Sequence, residues 1–124
     1  MKDDSIYLKH SLDSIRRIED DISEGREKFL AAHTLQDAVL RNLQTLSESA
    51  KRLSDPLTTS HPEIEWRRIT AFRNILVHDY LGIDMDRIWR IVQDDVPQLK
   101  RAVTALLALA EGRTSNGNEK EGHP

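Results

Sequence analysis

The sequence contains no cysteine and few residues that interrupt regular structure. The lack of cysteine excludes disulfides, thiol catalysis and zinc held by thiolates. Only 5 of the 124 residues are glycine, 4 are proline and 5% are aromatic, a composition that favours helices. No segment approaches the roughly 18 apolar residues of a membrane span, and the amino-terminal MKDDSIYLKH lacks the apolar run of a signal peptide. We therefore expect a soluble, cytoplasmic, helical protein.

Neither sign of charge predominates in the sequence. The formal net charge is -3 although 31% of the residues are charged, which argues against a generally basic surface of the kind that coats nucleic acid. A local cationic groove remains possible, because 18 residues are Lys or Arg and most of these are Arg, the better ligand for phosphate. The length suits one domain with a single core.

Apolar residues recur every three or four positions, which is the spacing of a helix and not of a strand. A first helix follows the cap candidates at residues 3–5. A second opens at Thr34 with Asp37 in the place of the capping-box acid, and Asp55-Pro56 ends it before a polar loop to Ser60. The two apolar faces consist of Leu8, Leu12, Ile15, Ile18 and Ile22, and of Leu35, Val39, Leu43, Leu46, Ala50 and Leu53.

The second half of the chain predicts two or three more helices. A third begins around Ser60-His61-Pro62, with Pro62 at the first helical position, and ends near residues 80–82. Asp84 or Asp86 caps a fourth, which Pro97 kinks or restarts as a fifth. The prediction is an all-α, up-and-down bundle of four to five helices over residues 1–111, followed by a disordered polar tail over 112–124.

The third helix carries the one dense group of chemically active side chains, in the run RNILVHDY at residues 73–80. Arg73 is a permanent cation and His78 can titrate near neutral pH. Positions five apart differ by about 140° on a helix. Both therefore reach one phosphate only if Arg73 uses its length, the helix unwinds near His78, or two chains contribute. Asn74 lies one turn before His78 and could orient its ring. The ordinary alternative is a helix-end histidine and a solvated arginine.

This run and its flanks resemble the HEPN superfamily, specifically its HepT-like branch of small proteins. The resemblance covers about residues 5–108. It is carried by RNILVHDY and by four further segments: DAVLRNL with SESA at 37–50, WRRI at 66–69, IW at 88–89 and VPQL at 96–99. Ser47 and Ser49 depart from the smaller residues that relatives tend to carry there.

The resemblance implies a homodimer in which two Arg-x4-His motifs face each other. It implies a metal-independent endoribonuclease toxin that needs no cofactor, with Arg73 and His78 catalytic and Asn74 and Asp79 supporting them. It also implies an MntA-like nucleotidyltransferase antitoxin as partner, which transfers AMP to Tyr80 and so inactivates the toxin.

Several alternatives stay open. Arg41 and Asn42 either bind RNA phosphate or are an ordinary surface arginine and a packing asparagine. Arg67 and Arg68 either extend a cationic strip or form a solvated face. The chain as a whole could instead be a non-catalytic subunit that binds nucleotide or substrate for a minimal nucleotidyltransferase, or a purely structural helical dimer.

Overall fold

A computed structural model describes the backbone of residues 3–78 and 82–122 and the side chains of residues 3–74 and 82–112. These residues form helices and no strand. The elements are α1 (Asp4–Asp21), α2 (Arg26–Ala31), α3 (His33–Lys51), α4 (Asp55–Ser60), α5 (Trp66–His78), α6 (Met85–Arg90), a π-helical segment (Ile91–Asp95) and α7 (Val96–Gly122). The all-α prediction is confirmed, whereas the predicted number of four to five helices is not.

Four long helices, α1, α3, α5 and α7, make up the body of the bundle. Helix α1 packs against α3 and α7, and α3 packs against α5. At one end the carboxylate of Asp4 accepts hydrogen bonds from the backbone N–H and Oγ of Ser54, at 2.8 and 2.6 Å. At the other end Lys100 Nζ lies 2.8 Å from Glu19. These contacts join the start of α1 to the end of α3, and the end of α1 to the start of α7, so both pairs run antiparallel.

The apolar faces predicted from the sequence form the core. Nine of the eleven positions predicted for the first two apolar faces are buried, while Ile22 and Leu35 are half-buried against them. Phe29 of the short α2 is fully buried, and its ring centroid lies 5.5 Å from that of Trp89 in α6. Ser47 and Ser49 are also buried, and Ser47 Oγ donates to the Gln44 carbonyl at 2.9 Å. The helix therefore satisfies the Ser47 hydroxyl within its own backbone.

Two predictions for the chain between the second and third predicted helices were wrong. Residues 55–60 are helix α4 and not a loop, because Ser54 Oγ caps the first turn by accepting from Leu57 N–H and Pro56 sits in that turn, where a missing N–H costs nothing. Helix α5 then begins at Trp66 and not at Pro62. The Trp66 indole N–H donates to the His61 carbonyl at 3.1 Å, which holds the intervening residues in turns.

The predicted capping box at Thr34 and Asp37 is wrong as well. Helix α3 begins at His33 after Ala32, which has no side-chain capping bond. Gln36 Nε2 instead donates to the carbonyls of Phe29 and Leu30, both at 3.1 Å. A side chain of α3 thereby satisfies two carbonyls at the end of α2, while the start of α3 has no side-chain cap.

The fourth helix agrees with its prediction at its start. Asp84 is the cap of α6, and its carboxylate accepts from the N–H groups of Asp86 and Arg87. Helix α7 begins at Val96, directly after the π-helical segment and one residue before Pro97, which agrees with the prediction that the chain restarts there as a further helix. Helix α7 is helical to Gly122. The predicted division at residue 112 stays a prediction, since helical backbone alone does not show what holds those residues in place.

Within the residues described, no helix is both long and apolar enough to cross a membrane.

Candidate active site on helix α5

Helix α5 presents the start of the motif to solvent. Ile69 and Phe72 are buried in the core, whereas Arg73 and Asn74 are exposed. Residue 78 is the last helical position. The side chain of His78, and Asp79 and Tyr80 altogether, lie outside the described residues.

The helix is continuous as far as His78. Unwinding before His78 is therefore not how Arg73 and His78 could meet. On an ideal helix Asn74 lies on the same stripe as His78, one turn earlier, as do Ala71 and Arg67 further back. Arg73 lies about 140° away from His78 around the axis. Two routes to a shared phosphate remain: the length of the Arg73 side chain, or a second copy of the chain.

The two candidates on α3 differ from each other. Arg41 is exposed, and among the described residues it forms no ion pair. Asn42 is half-buried, and its Nδ2 donates to the Ala38 carbonyl at 2.9 Å. The amide of Asn42 is thus bonded to its own helix, while the Arg41 guanidinium is open to a ligand.

A cationic pocket lies beside α5, and sequence reasoning missed two of its residues. The pocket has a volume of about 550 Å³ and is bounded by α5 on one side and by α6 with the π-helical segment on the other. Its lining consists of Arg68, Ala71, Phe72, Arg87, Arg90, Ile91, Asp94 and Asp95. Arg87 and Arg90 are exposed and stand three apart on α6, a spacing that places two side chains on one face. That spacing was the available signal.

An ion pair crosses this pocket. Arg68 Nε lies 3.1 Å from Asp95 Oδ1, and the Asp95 side chain is only 16% exposed. Arg68 also approaches Glu65 at 3.9 Å. The other carboxylate oxygen of Asp95 is buried and has no hydrogen-bond partner among the described residues. Arg68 is therefore the group that compensates the Asp95 charge.

Metal ligands do not cluster in the part of the chain that the structure describes. Those residues include no group of three or more His, Asp or Glu side chains arranged to hold an ion. The groups along α5 that suit phosphate binding are its arginine guanidinium groups, together with Asn74 one turn before His78.

Comparison with known proteins identifies the family. The Ribonuclease HepT-like family profile matches residues 8–106, which include the complete motif. The chain belongs to the HepT-like ribonuclease family. A protein of Methanocaldococcus jannaschii named “Gamma-glutamylcyclotransferase and putative RNase” is 34% identical over 96% of this chain and 53% of its own length. The “Probable ribonuclease HepT” of Thermococcus cleftensis is 36% identical over 76% of this chain and 86% of its own length.

These matches confirm the resemblance to the HepT-like branch. They also confirm that the family to which the chain belongs is one of ribonucleases. The chain spans about half of the first relative and most of the second. No solved structure matches the chain.

Proposed function

We propose that this HepT-like protein is a metal-independent endoribonuclease that works as a homodimer. The observation that carries the proposal is the family match over residues 8–106, which contains the Arg-x4-His motif. The exposure of Arg73 and Asn74 at the motif's start supports it, because a phosphate-binding guanidinium must be open to the substrate.

The reaction uses a nucleophile that RNA itself supplies. The ribose 2′-oxygen loses its proton and attacks the adjacent phosphorus, and the bond from phosphorus to the 5′-oxygen breaks. The products are a 2′,3′-cyclic phosphate and a 5′-hydroxyl. His78 transfers the protons, and Arg73 stabilises the negative charge of the pentacoordinate transition state. Asn74 orients the imidazole from one turn below, and Asp79 stabilises its protonated form.

A dimer resolves the geometry of α5. With the helix intact to His78, one chain directs Arg73 and His78 in different directions. Two chains packed with these helices facing bring an arginine of one protomer next to the histidine of its partner. Two histidines at one phosphate also divide the work, since one takes the 2′-hydroxyl proton while the other donates to the leaving oxygen.

The activity is that of a cytoplasmic toxin whose antitoxin is an MntA-like nucleotidyltransferase. Transfer of AMP from ATP to the Tyr80 oxygen releases pyrophosphate and leaves a phosphodiester two residues beyond His78. The added negative charge and bulk block the cleft, and the new phosphate competes with RNA for Arg73.

The test is cleavage of end-labelled RNA in excess EDTA, with protein whose intact mass shows Tyr80 to be unmodified. His78→Ala should lower the rate by about 100-fold or more, the usual contribution of a proton-transferring side chain. Arg73→Ala should lower it by a similar factor. The matched controls are His33→Ala and Arg16→Ala, exposed residues away from the motif, which should cleave like wild type.

Each outcome separates the candidates. Cleavage that leaves cyclic phosphate ends and disappears in His78→Ala supports the ribonuclease. Activity that EDTA abolishes contradicts the metal-independent mechanism. Tight nucleotide binding without cleavage of any RNA favours the non-catalytic binding subunit. Unchanged binding and toxicity in both motif variants favour a structural dimer.

A further inference from the structure

The pocket between α5 and α6 contains two arginines without an anionic partner. Among the described residues neither Arg87 nor Arg90 forms an ion pair. Asp86, four residues before Arg90, is paired with Arg26 of α2 instead. We infer that Arg87 and Arg90 bind a phosphate of the RNA chain a short distance along the backbone from the one that is cleaved. This inference rests on the proposed function and adds a substrate-binding site to it.

The charges in the pocket match a single phosphodiester. Three arginines and two aspartates line it. The Arg68–Asp95 pair at 3.1 Å cancels one charge of each sign, which leaves Arg87 and Arg90 opposed by the exposed Asp94 alone. The remaining excess is one positive charge, and an RNA phosphodiester carries one negative charge. Arginine suits this ligand, because its planar guanidinium can donate two hydrogen bonds to one phosphate.

The register of α5 places the pocket next to the motif. Ala71 lines the pocket and shares a stripe of α5 with Asn74 and His78, because positions 71, 74 and 78 are three and four apart. The rise of a helix puts positions 71 and 78 about 10 Å apart along the axis. A single-stranded RNA bound at the motif and running back along α5 therefore reaches Arg87 and Arg90 within a short stretch of backbone.

The pocket's shape favours a flexible chain over a small enclosed ligand. Arg87, Arg90 and Asp94 are all exposed, so the site is open along its length. The contact proposed for Arg87 and Arg90 is to a phosphate, a group that is the same at every nucleotide. A site of this kind positions the RNA backbone without reading its sequence.

The experiment measures binding and cleavage separately. The binding probe is a fluorescent single-stranded RNA with 2′-O-methyl groups, which the proposed reaction cannot cleave. The cleavage substrates are a dinucleotide and a longer unmodified RNA. Arg87→Gln/Arg90→Gln should bind the long probe about tenfold more weakly and reduce the salt dependence of binding by about 0.7 per lost phosphate contact. Asp94→Asn should bind the probe several-fold more tightly, because it removes the opposing carboxylate.

The matched control is Arg16→Gln/Arg52→Gln, which removes the same charge from two exposed arginines outside the pocket. We expect the pocket variant to raise KM for the long RNA about tenfold and to leave dinucleotide cleavage unchanged. A loss of equal size in the control overturns the inference, because the effect would then be general electrostatics. Unchanged binding of the long probe by the pocket variant also overturns it.

The two proposals can fail independently. If the wild-type protein cleaves no RNA, the ribonuclease proposal fails. The 2′-O-methyl probe still decides the pocket, since its affinity and salt slope do not depend on cleavage. If the protein cleaves RNA and the pocket variant differs from wild type in neither binding nor KM, the pocket inference alone fails.

Discussion

The ion pair between Arg68 and Asp95 gives a quantitative test of how α5 is held against the π-helical segment. Its members are unequally exposed, since the Arg68 side chain is 59% exposed and that of Asp95 16%. Exposed pairs contribute about 0.2–1 kcal/mol, whereas removing one partner of a fully buried pair costs about 3–5 kcal/mol. Arg68→Gln should therefore lower the free energy of unfolding by about 1–2 kcal/mol, because it leaves a poorly solvated carboxylate uncompensated.

The unequal exposure of Arg68 and Asp95 predicts that their two single variants differ in stability. Asp95→Asn leaves Arg68 in water, where its charge is solvated, so that variant should lose about 1 kcal/mol or less. The double variant Arg68→Gln/Asp95→Asn should be more stable than Arg68→Gln alone, because the stranded charge is gone. Urea unfolding at one fixed protein concentration measures all four proteins, the concentration being held because a dimer's stability depends on it. A double variant no more stable than Arg68→Gln would refute the argument.

Two further predictions concern single groups. After incubation with the partner nucleotidyltransferase and ATP, the wild-type protein should gain the mass of AMP and stop cleaving RNA. Tyr80→Phe should gain no mass and continue to cleave RNA. An equal gain of mass in both proteins would show that the AMP acceptor is a residue other than Tyr80. Burial raises the pKa of Asp21, and the neighbouring Asp20 carboxylate adds to the effect. The folded protein therefore binds this proton more tightly than the unfolded chain does. Its stability should fall as the pH rises from the ordinary aspartate pKa through the raised one. Asp21→Asn should remove this dependence of stability on pH, measured by unfolding curves in the acid range. It should also add about 0.5 kcal/mol to the free energy of unfolding at neutral pH, because Asp21 is the last residue of α1, where a negative charge is unfavourable. An unchanged pH dependence would contradict this prediction.

The core and the start of the motif were predictable because their information is local. A run such as Leu8, Leu12 and Ile15 can bury one face only as a helix, and all three are buried. The motif residues lie within eight consecutive positions, so they could be recognised as candidates without knowledge of the tertiary fold. Asp84 was predictable as a cap for the same reason, since its bonds reach only two and three residues along the chain.

The features that sequence reasoning missed depend on contacts that hydrophobic periodicity does not encode, and some of these contacts join distant parts of the chain. Helix α4 is capped by Ser54, which in turn is held by Asp4 from 50 residues away. The late start of α5 depends on an indole bond from Trp66 back to the His61 carbonyl. No periodicity in the chain encodes either contact. The sequence likewise did not show that Arg87 lines a pocket, because the position of α6 beside α5 depends on how the helices pack.

The π-helical segment connects the apolar core to the charged pocket. Pro97 has no N–H, and its ring would clash in an α-helix with the carbonyl of Gln93, four residues earlier. The chain avoids this by a wider turn in which the Val96 N–H bonds to the Ile91 carbonyl, an arrangement often found at functional positions.

Asp95 is the last residue of the π-helical segment and lies against α5, where its Oδ1 is 3.1 Å from Arg68 Nε. Arg90 immediately precedes the segment and lines the same pocket. Arg68 occupies that carboxylate, which leaves Arg90 free for a ligand. The segment that precedes Pro97 thus supplies the carboxylate that pairs with Arg68, and Arg87 and Arg90 remain available next to the motif.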